Sequence, residues 1–367
     1  MSKILISGYY GFNNVGDEAI LKGIIEGIKK LKENAEIVVL SHSPDFTARK
    51  HDVRSIKRMN FFKIFWEMKN MDLLVSGGGS LFQDVTSKRS IAYYLGIIWM
   101  AKRLLKKKVM VYSQGIGPVT KGYNRFLLKK IMNCVDIINV RDEKSKDELI
   151  SMGIKKEILV TTDTVFGIPA PSTSKGLERL EKMGVDNNGL KIGISIRPWK
   201  NSDYIIKETT NFCKKYLEEN DGQIILIPFH FYSDLKIMEK VYEKIDLNLR
   251  DRVFVVRDYL YVEDYLSFVG NMDMMVAMRL HGLIFSVLMK VPVIGLSYDP
   301  KIDSFMSDIG RTKINSVEDF KGLELADEVK KMLEMLDIER KNVIEKLEMF
   351  KSKADTHNEI LIDLLKK

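Results

Sequence analysis

The sequence predicts an α/β protein built from two doubly wound domains, each organised around a parallel sheet. Three observations support this prediction. Strand-like apolar runs alternate with amphipathic helical runs from end to end, as in βαβ units. The 367 residues are enough for two domains of ordinary size. A turn-rich connector at 169–176, with two prolines and three small polar residues, divides the alternation into two halves.

The predicted strands are short apolar runs bounded by turn residues. In the first half they occupy 3–7, 36–40, 72–76, 108–113, 136–140 and 157–160. In the second half they occupy 191–196, 223–227, 252–256, 273–277 and 291–295. Residues 339–366 have the pattern of one long helix, which we expect to pack back on the first domain. The predicted domains are 1–175 and 190–338, followed by the helical segment 339–367.

Composition and charge exclude several classes of protein. The net charge of +8 is spread among acidic residues and accompanies no nucleic-acid-binding motif, so we expect no nucleic-acid partner. Cys134 and Cys213 lie in different halves, which suggests neither a disulfide framework nor a zinc site. The first residues lead directly into a strand without a signal peptide, and the longest apolar run, 91–101, is too short to span a bilayer. We therefore expect a cytoplasmic protein.

One basic segment suggests a contact with the inner leaflet of the membrane. Lys102, Arg103, Lys106, Lys107 and Lys108 follow the aromatic and apolar run 91–101, and a second aromatic run occupies 61–66. The alternative is a half-buried helix with a solvated basic end. The two interpretations differ in whether the aromatic side chains are exposed or buried in the domain core.

The loops after the first, third and fourth predicted strands are rich in glycine, and ligands of open parallel sheets bind beyond such strand ends. The first loop lacks the G-x-G-x-x-G spacing and brings Asp17 and Glu18 to the helix start, which disfavours NAD. Asp17 is also suited to be the N-cap of that helix. The predicted ligand-facing residues of these loops are Gly11, Asn14, Gly78, Gly79, Gln83, Gln114 and Gly115.

Cationic side chains follow three predicted strands of the second half. Arg279 and His281 flank Leu280 before Gly282, at a strand-to-helix turn where backbone N–H groups and an arginine can bind an anion. Arg197 and His230 follow the first and the second predicted strands of this half in the same way. Each residue alone has an ordinary structural explanation, but their convergence predicts a site for a small molecule with two anionic groups. The sequence contains no recognisable metal-ligand spacing.

Eight segments taken together resemble the polysaccharide pyruvyl transferase family, most closely its CsaB-type members, which act on secondary cell-wall polymers in bacteria with S-layers. These segments are 11–18 (GFNNVGDE), 76–83 (SGGGSLFQ), 113–118 (SQGIGP), 141–145 (RDEKS), Asp163 in TTDTVF, 195–197, 228–234 and 279–282 (RLHG). The resemblance implies two Rossmann-like domains facing a cleft, as in GT-B glycosyltransferases. It also implies that phosphoenolpyruvate donates a pyruvyl group as a 4,6-ketal to a sugar such as N-acetylmannosamine, carried on a polyprenyl diphosphate.

The residues fit this reaction. Phosphoenolpyruvate carries a carboxylate and a phosphate, and Arg279 and Arg197 can each bind one of them. His281 would then protonate the methylene carbon of the enol, and Asp17 or Glu18 would accept the proton of the sugar hydroxyl, with His230 as the alternative base. The first domain would bind the acceptor and the second the donor, without a metal or a further cofactor.

Two other functions stay open at the level of sequence. A nucleotide-sugar glycosyltransferase or UDP-sugar epimerase can share the fold, because fold alone does not determine function. A non-catalytic glycan-binding protein is the alternative outside enzymes.

Overall fold

The structure is a computed structural model that describes residues 2–84, 90–311 and 315–366. The terminal positions Met1 and Lys367 of the predicted domains therefore lie outside the described residues. The chain forms two compact units. One comprises Met1–Ile168 together with Phe350–Lys367, and the other comprises Pro169–Met349.

The first unit contains a parallel sheet of seven strands in the order β3-β2-β1-β4-β5-β6-β7. The strands are β1 (Lys3–Tyr10), β2 (Glu36–Ser41), β3 (Arg54–Lys57), β4 (Leu73–Phe82), β5 (Lys108–Ile116), β6 (Ile137–Val140) and β7 (Ile158–Val160). The central strands are almost continuously buried, because their apolar runs pack on both faces of the sheet. The order reverses between β1 and β4, and this reversal defines the topological switch point.

Six helices connect these strands. They are α1 (Val15–Leu31), α2 (Pro44–His51), α3 (Phe61–Lys69), α4 (Ser90–Trp99), α5 (Gly122–Met132) and α6 (Glu143–Ser151). A π-helical turn, Met100–Leu104, continues α4, and a 3₁₀ turn, Thr164–Gly167, follows β7. The core of the unit includes Leu5 and Leu74 from the sheet and Ile64, Leu95 and Leu128 from the helices.

The second unit repeats the arrangement with six strands in the order β10-β9-β8-β11-β12-β13. They are β8 (Lys191–Ser195), β9 (Gln223–Leu226), β10 (Val253–Val255), β11 (Met274–Ala277), β12 (Val293–Ser297) and β13 (Asn315–Ser316). The helices are α7 (Ser174–Lys182), α8 (Ser202–Glu219), α9 (Phe231–Glu243), α10 (Val262–Val269), α11 (Leu280–Leu288), α12 (Pro300–Asp308), α13 (Gly322–Glu334) and α14 (Leu336–Lys366), with a 3₁₀ turn at Arg250–Arg252. Here the strand order reverses between β8 and β11.

The end of α14 packs within the first unit. Phe350 stacks on Phe166 with 4.5 Å between ring centroids, and the ring of His357 lies 4.9 Å from that of Tyr112. A Cβ atom at Gly27 would lie 2.2 Å from Asn358 Oδ1, so this glycine permits the close approach of α1 and α14. Burial lowers the pKa of His357 to about 4.

The predicted α/β class with two parallel sheets is confirmed, and the differences are local. β3 and β13 were missed because they are short and carry polar residues rather than apolar runs. Two segments predicted as glycine loops, 77–82 and 114–116, instead continue β4 and β5, since their backbones still pair across a register shift between Gly79 and Phe82. The last helix begins at Leu336 rather than at residue 339.

Candidate active site

Four neighbouring strands of the second unit end at one edge of the sheet. β9, β8, β11 and β12 are adjacent in the sheet order, and their pairing is parallel throughout. The segments that follow them therefore emerge side by side around the switch point, where ligands of such sheets bind. These segments carry His230, Arg197, Arg279 and Tyr298.

Arg279, the N-cap residue of α11, forms a two-point ion pair with Asp234 in the first turn of α9. Its Nε lies 3.0 Å from Asp234 Oδ2 and its Nη2 lies 2.5 Å from Oδ1. Asp234 is fully buried, while Arg279 keeps 14% of its side chain exposed. Bidentate pairing of this kind fixes the plane of a guanidinium. The sequence predicted that Arg279 binds a ligand carboxylate; in this structure its bidentate partner is Asp234.

His230 is the N-cap residue of α9 and belongs to the same cluster. Its backbone N–H donates to Asp234 Oδ2 at 2.8 Å, and its ring Nδ1 lies 3.1 Å from the Ser233 hydroxyl. Burial and the neighbouring charge of Arg279 lower the pKa of the imidazole below its usual 6.5. The ring is therefore neutral at pH 7 and suited to accept a proton.

His281 is the second residue of α11, at the end of the helix where backbone N–H groups point outward. The preceding Leu280 and the following Gly282 are both buried. Packing accounts for the glycine, because a Cβ atom at Gly282 would come within 3.1 Å of the Ala277 Cβ and 3.6 Å of the Phe229 ring. Gly282 thus allows α11 to lie against the end of β11.

Arg197 is held by aromatic residues at the end of β8. Its Nη1 donates to the Tyr298 hydroxyl at 2.8 Å. The guanidinium carbon lies 4.8 Å from the Tyr298 ring centroid and 5.3 Å from that of Trp199, which is the geometry of cation–π contacts. Tyr298 and Trp199 thus orient Arg197, and none of these contacts involves a carboxylate.

Tyr298 was not predicted from the sequence. Burial raises the pKa of its hydroxyl, but the positive charges of Lys301, Arg197 and Arg279 and the hydrogen bond from Arg197 outweigh burial and lower it. The direction of this shift reports a positive electrostatic potential at the strand ends. The sequence did offer a signal for Tyr298. This residue directly follows the strand β12, just as the three predicted cationic segments follow strands.

In the first unit, the start of α1 differs from the expectation. Asn14, not Asp17, is the N-cap, and its side chain accepts from the Gly16 N–H at 3.3 Å. Asp17 lies in the first helical turn and accepts a hydrogen bond from Asn14 Nδ2. Its carboxylate is half-buried and reaches the backbone of β4, because a Cβ atom at Gly79 would lie 3.1 Å from Asp17 Oδ1.

Glu18 holds the loop that follows β1. Its carboxylate is buried, accepts the Gly11 N–H at 2.7 Å and lies 3.2 Å from His51 Nε2. Gly11 has a φ of +79°, and a Cβ atom there would come within 2.3 Å of the Ser41 hydroxyl. Both contacts of Glu18 are made to other residues of the first unit, so Glu18 holds the loop in position.

Gln114 fastens the glycine-rich part of β4. Its Nε2 donates to the Gly79 carbonyl at 2.6 Å, while a Cβ atom at Gly78 would lie 2.6 Å from Ile20. Gln114 is fully buried, and no donor among the described residues lies within hydrogen-bond distance of its Oε1. Gln83 lies half-buried immediately after β4.

The Arg141 guanidinium covers the backbone of Gly115. A Cβ atom at Gly115 would lie 2.7 Å from Arg141 Cζ, so a larger residue there would require the guanidinium to move. Arg141 follows β6, has 6% of its side chain exposed, and lies 3.5 Å from Asp163 and 3.4 Å from the Ser80 hydroxyl. In the sequence Arg141 stands out only as part of the motif 141–145, and its place after a predicted strand was the signal for a cation at this edge.

Several solved structures share this fold. The UDP complex of MnaA from S. aureus superimposes with a TM-score of 0.65 at 14% identity, covering 100% of this chain and 96% of that one. UDP-GlcNAc 2-epimerase from Neisseria meningitidis gives 0.65 at 12%, covering both chains completely. ADP-heptose lps heptosyltransferase II from E. coli gives 0.53 at 12%, covering 92% of this chain and 100% of that one. At such low sequence identity, the structural similarity establishes the GT-B-like fold and nothing more.

Comparisons of sequence are more specific. A search of curated proteins gives no significant match. The family model for polysaccharide pyruvyl transferase, in contrast, matches residues 14–300. This range includes the start of α1, the glycine-rich end of β4 and all four cationic or aromatic strand ends of the second unit. The chain therefore belongs to the polysaccharide pyruvyl transferase family and is a pyruvyltransferase.

Proposed function

We propose that this pyruvyltransferase takes its pyruvyl group from phosphoenolpyruvate and attaches it as a 4,6-ketal to a sugar, N-acetylmannosamine in a cell-wall polysaccharide precursor, with release of phosphate. The observation that carries the proposal is the cluster of Arg197, His230, Arg279 and His281 at adjacent strand ends of the second unit. The lowered pKa of Tyr298 supports an anionic ligand there.

The two arginines suit a donor with two anionic groups on three carbons. Asp234 fixes Arg279 and Tyr298 fixes Arg197, so both cations are oriented before a ligand arrives. Such preorganisation reduces the entropy that is lost on binding. We assign the carboxylate to Arg279 and the phosphate to Arg197.

The reaction then needs one acid and one base. His281 donates a proton to the methylene carbon, which becomes the methyl group, and the central carbon becomes electrophilic. One sugar hydroxyl forms a C–O bond to that carbon and gives up its proton. The C–O bond to phosphate breaks with its electron pair on phosphate, and the second hydroxyl closes the ketal ring as its proton passes to the released phosphate.

Asp17 is our choice for the base. Its half-buried carboxylate is oriented by Asn14, whereas the Glu18 carboxylate is occupied by Gly11 and His51. His230 is the alternative, because its lowered pKa keeps the imidazole neutral at pH 7. Asp17 belongs to the acceptor-binding unit in this scheme, and His230 to the donor-binding unit.

The direct test is phosphate release from phosphoenolpyruvate in the presence of a disaccharide that contains N-acetylmannosamine. We expect phosphate and pyruvylated disaccharide in equal amounts, and no phosphate without the acceptor. Phosphate release without a ketal product, or no release with any sugar acceptor, would overturn the proposed reaction.

A UDP-sugar reaction is the second candidate, because the similar structures include a UDP complex and a UDP-GlcNAc 2-epimerase. The two candidates predict different ligands for the second unit. We expect phosphoenolpyruvate to raise the melting temperature and UDP to leave it unchanged, since only a bound ligand stabilises the native state. The opposite result would favour the nucleotide-sugar enzyme.

We also propose that the first unit contacts anionic membrane lipid to reach a lipid-linked acceptor. Burial removes most of the run 91–101 from the surface, since Ile91, Tyr94, Leu95, Ile97 and Ile98 of α4 are buried. The exposed aromatic residues lie instead on α3, where Phe61, Phe62 and Trp66 are 49%, 82% and 59% exposed. Phe61 packs near Tyr93, so α3 lies beside α4.

The basic residues after α4 supply the charge for this contact, but not all of them equally. Lys102 pairs with Asp136 at 2.6 Å, so its charge is balanced within the protein. Arg103 and Lys106 are exposed, and Lys107 and Lys108 are half-exposed. Within the part of the chain that the structure describes, no helix is both long and apolar enough to cross a bilayer. The proposed contact is therefore peripheral.

A further inference from the structure

Arg58 is a buried cation at the carboxyl edge of the first sheet. It directly follows β3 and is 8% exposed. Three rings surround its guanidinium carbon, with centroid distances of 4.3 Å to Tyr93, 5.3 Å to Tyr94 and 5.3 Å to Phe12. We call these three side chains the Arg58 cage. Because the sequence pattern does not predict β3, it does not mark Arg58 as a residue at a strand end.

Arg58 forms no direct ion pair with a carboxylate of the described residues, and the Asp17 carboxylate is near enough only to act on the same two phenols, Tyr9 and Tyr94. The Nη1 atom of Arg58 donates to the Tyr94 hydroxyl at 3.2 Å. Cation–π contacts offset only part of the cost of desolvating an ion. The cage alone therefore leaves the cation undercompensated.

The guanidinium of Arg58 is contacted mainly through its faces. Besides the hydrogen bond to the Tyr94 hydroxyl, the Tyr93 hydroxyl also interacts with the cation, and none of these contacts involves a carboxylate. A guanidinium held by its faces keeps in-plane N–H groups that can bind the oxygens of an anion.

A platform of aromatic rings adjoins the cage. Phe12 stacks on Tyr9 with 4.1 Å between centroids and on His42 with 4.4 Å, and Tyr9 and His42 reach the surface. Flat apolar faces of this kind can pack against the C–H groups of a sugar ring. Asp17 lies close enough to act on the phenol of Tyr9, as Arg58 also does. The candidate base and the buried cation thus share one cluster.

We infer that Arg58 is the anion contact of the acceptor site and binds the phosphoryl group of a glycosyl phosphate whose sugar packs on Tyr9, Phe12 and His42. This inference rests on the proposed function, because it takes the phosphorylated sugar to be the molecule that accepts the pyruvyl group. The purely structural alternative is that the guanidinium only clamps α4 to the end of β3, where the Tyr93 hydroxyl also donates to the Arg58 carbonyl at 2.7 Å.

Binding measurements test the inference without relying on activity. N-acetylmannosamine 1-phosphate and N-acetylmannosamine would be titrated calorimetrically into the wild type, Arg58→Gln and Arg58→Lys. Arg54→Lys is the matched control, because Arg54 begins β3, the strand that Arg58 directly follows, but pairs with Glu36 and Glu67 at the surface. We expect Arg58→Gln to weaken binding of the phosphorylated sugar at least tenfold, Arg58→Lys to weaken it less, and both to leave binding of the free sugar unchanged.

Kinetics then distinguish the two anionic substrates. With a phosphorylated acceptor, the Arg58 variants should raise the KM for the acceptor and leave the KM for phosphoenolpyruvate unchanged. A raised KM for phosphoenolpyruvate alone would assign Arg58 to the donor and overturn the inference. Equal affinity of the wild type and both Arg58 variants for the phosphorylated sugar would overturn it as well. If the wild type binds the phosphorylated sugar through Arg58 but transfers no pyruvyl group to it, the anion site stands and the proposed function fails.

Folding is checked separately, since a purely structural clamp predicts a different result. In that case both Arg58 variants would lower the melting temperature and weaken the free and the phosphorylated sugar equally. Should Arg58→Gln not fold, Arg58→Lys keeps the charge and the ring contacts, and its ratio of affinities for the two sugars decides the question alone.

Discussion

Arg279 and Asp234 are joined by two hydrogen bonds although they lie 45 positions apart in the sequence. The pair connects the end of β11 to the first turn of α9, which follows β9. Asp234 also accepts the backbone N–H of His230, so one buried carboxylate orients both a cation and a candidate base. The donor-binding geometry that we propose therefore depends on a residue that touches no substrate.

Arg279→Lys should lower kcat/KM for phosphoenolpyruvate at least tenfold, about 1.4 kcal/mol, because an ammonium group cannot reproduce a planar two-point contact. Asp234→Asn should also lower kcat/KM, since the guanidinium loses its charged partner. The double variant should lose little more than Arg279→Lys alone, because both changes disrupt one unit. Arg125→Lys, which alters the Arg125–Glu148 pair of the first unit, is the control. Additive losses would show that Asp234 acts independently of Arg279.

His281→Ala should abolish turnover and leave the affinity for phosphoenolpyruvate nearly unchanged if the imidazole is the acid. Single-turnover measurements with direct titration of the donor separate the two quantities. His230→Ala should reduce turnover less, since Asp17 is our choice for the base. A loss of donor affinity in His281→Ala would instead indicate a phosphate contact. Equal losses of turnover in the two variants would reassign the proton donor.

The sequence predicts the strand-end residues of the second unit better than it predicts Arg58 in the first, and the reason is physical. Arg197, His230 and Arg279 follow strands with strong apolar runs, so both the strand and its end were recognisable. Arg58 follows β3, whose four residues Arg-Ser-Ile-Lys include only one apolar side chain, and the strand exists because β2 offers its backbone for pairing. Long-range pairing of this kind leaves no local pattern.

The glycines show the same limit. The sequence predicted that Gly78, Gly79 and Gly115 form loops, since glycine is common in turns. The structure places them in strands, where Ile20, Asp17 and Arg141 would meet a Cβ atom. Close approach by a side chain distant in sequence is a tertiary constraint, and composition alone cannot distinguish it from a turn. Gly11 is the exception, because its positive φ was compatible with the predicted loop.

Gly11→Ala should destabilise the first unit by about 2 kcal/mol or more, because the residue has a φ of +79° and the added Cβ would clash with Ser41. Gly96→Ala is the matched control. Gly96 is exposed within α4, and an added Cβ would meet no described atom within 4 Å. Alanine there should stabilise by about 0.5–1 kcal/mol. Urea denaturation measures both, and a neutral Gly11→Ala would show that the loop adapts without strain.

His357 should make the stability of the protein fall on mild acidification. Its pKa is about 4 when folded, because it is buried, and about 6.5 when unfolded. Between these values the unfolded chain binds the proton and the native protein does not, so stability falls as the pH falls. The loss attributable to this residue between pH 7 and pH 5 is about 2 kcal/mol.

Chemical denaturation at pH 7 and pH 5 tests this linkage. His357→Gln should reduce the difference in unfolding free energy between the two pH values, whereas His42→Gln, at an exposed histidine, should not. An unchanged difference in His357→Gln would mean that other groups cause the acid sensitivity.

The proposed membrane contact predicts salt-sensitive binding to lipid. Wild-type protein should co-sediment with anionic vesicles and not with neutral ones, and high salt should release it, because each basic residue near an anionic surface contributes about 1 kcal/mol. Replacing Lys106, Lys107 and Lys108 by Glu should abolish binding, and Phe62→Ser with Trp66→Ser should weaken it. Phe126→Ser is the control for the aromatic changes, since Phe126 is 60% exposed on a different helix. If the protein stays in the supernatant with both lipids at low salt, it reaches its acceptor without this surface. If the lysine variant still binds vesicles and the aromatic variant does not, α3 contacts lipid through its apolar side chains. The basic residues then have no role in binding.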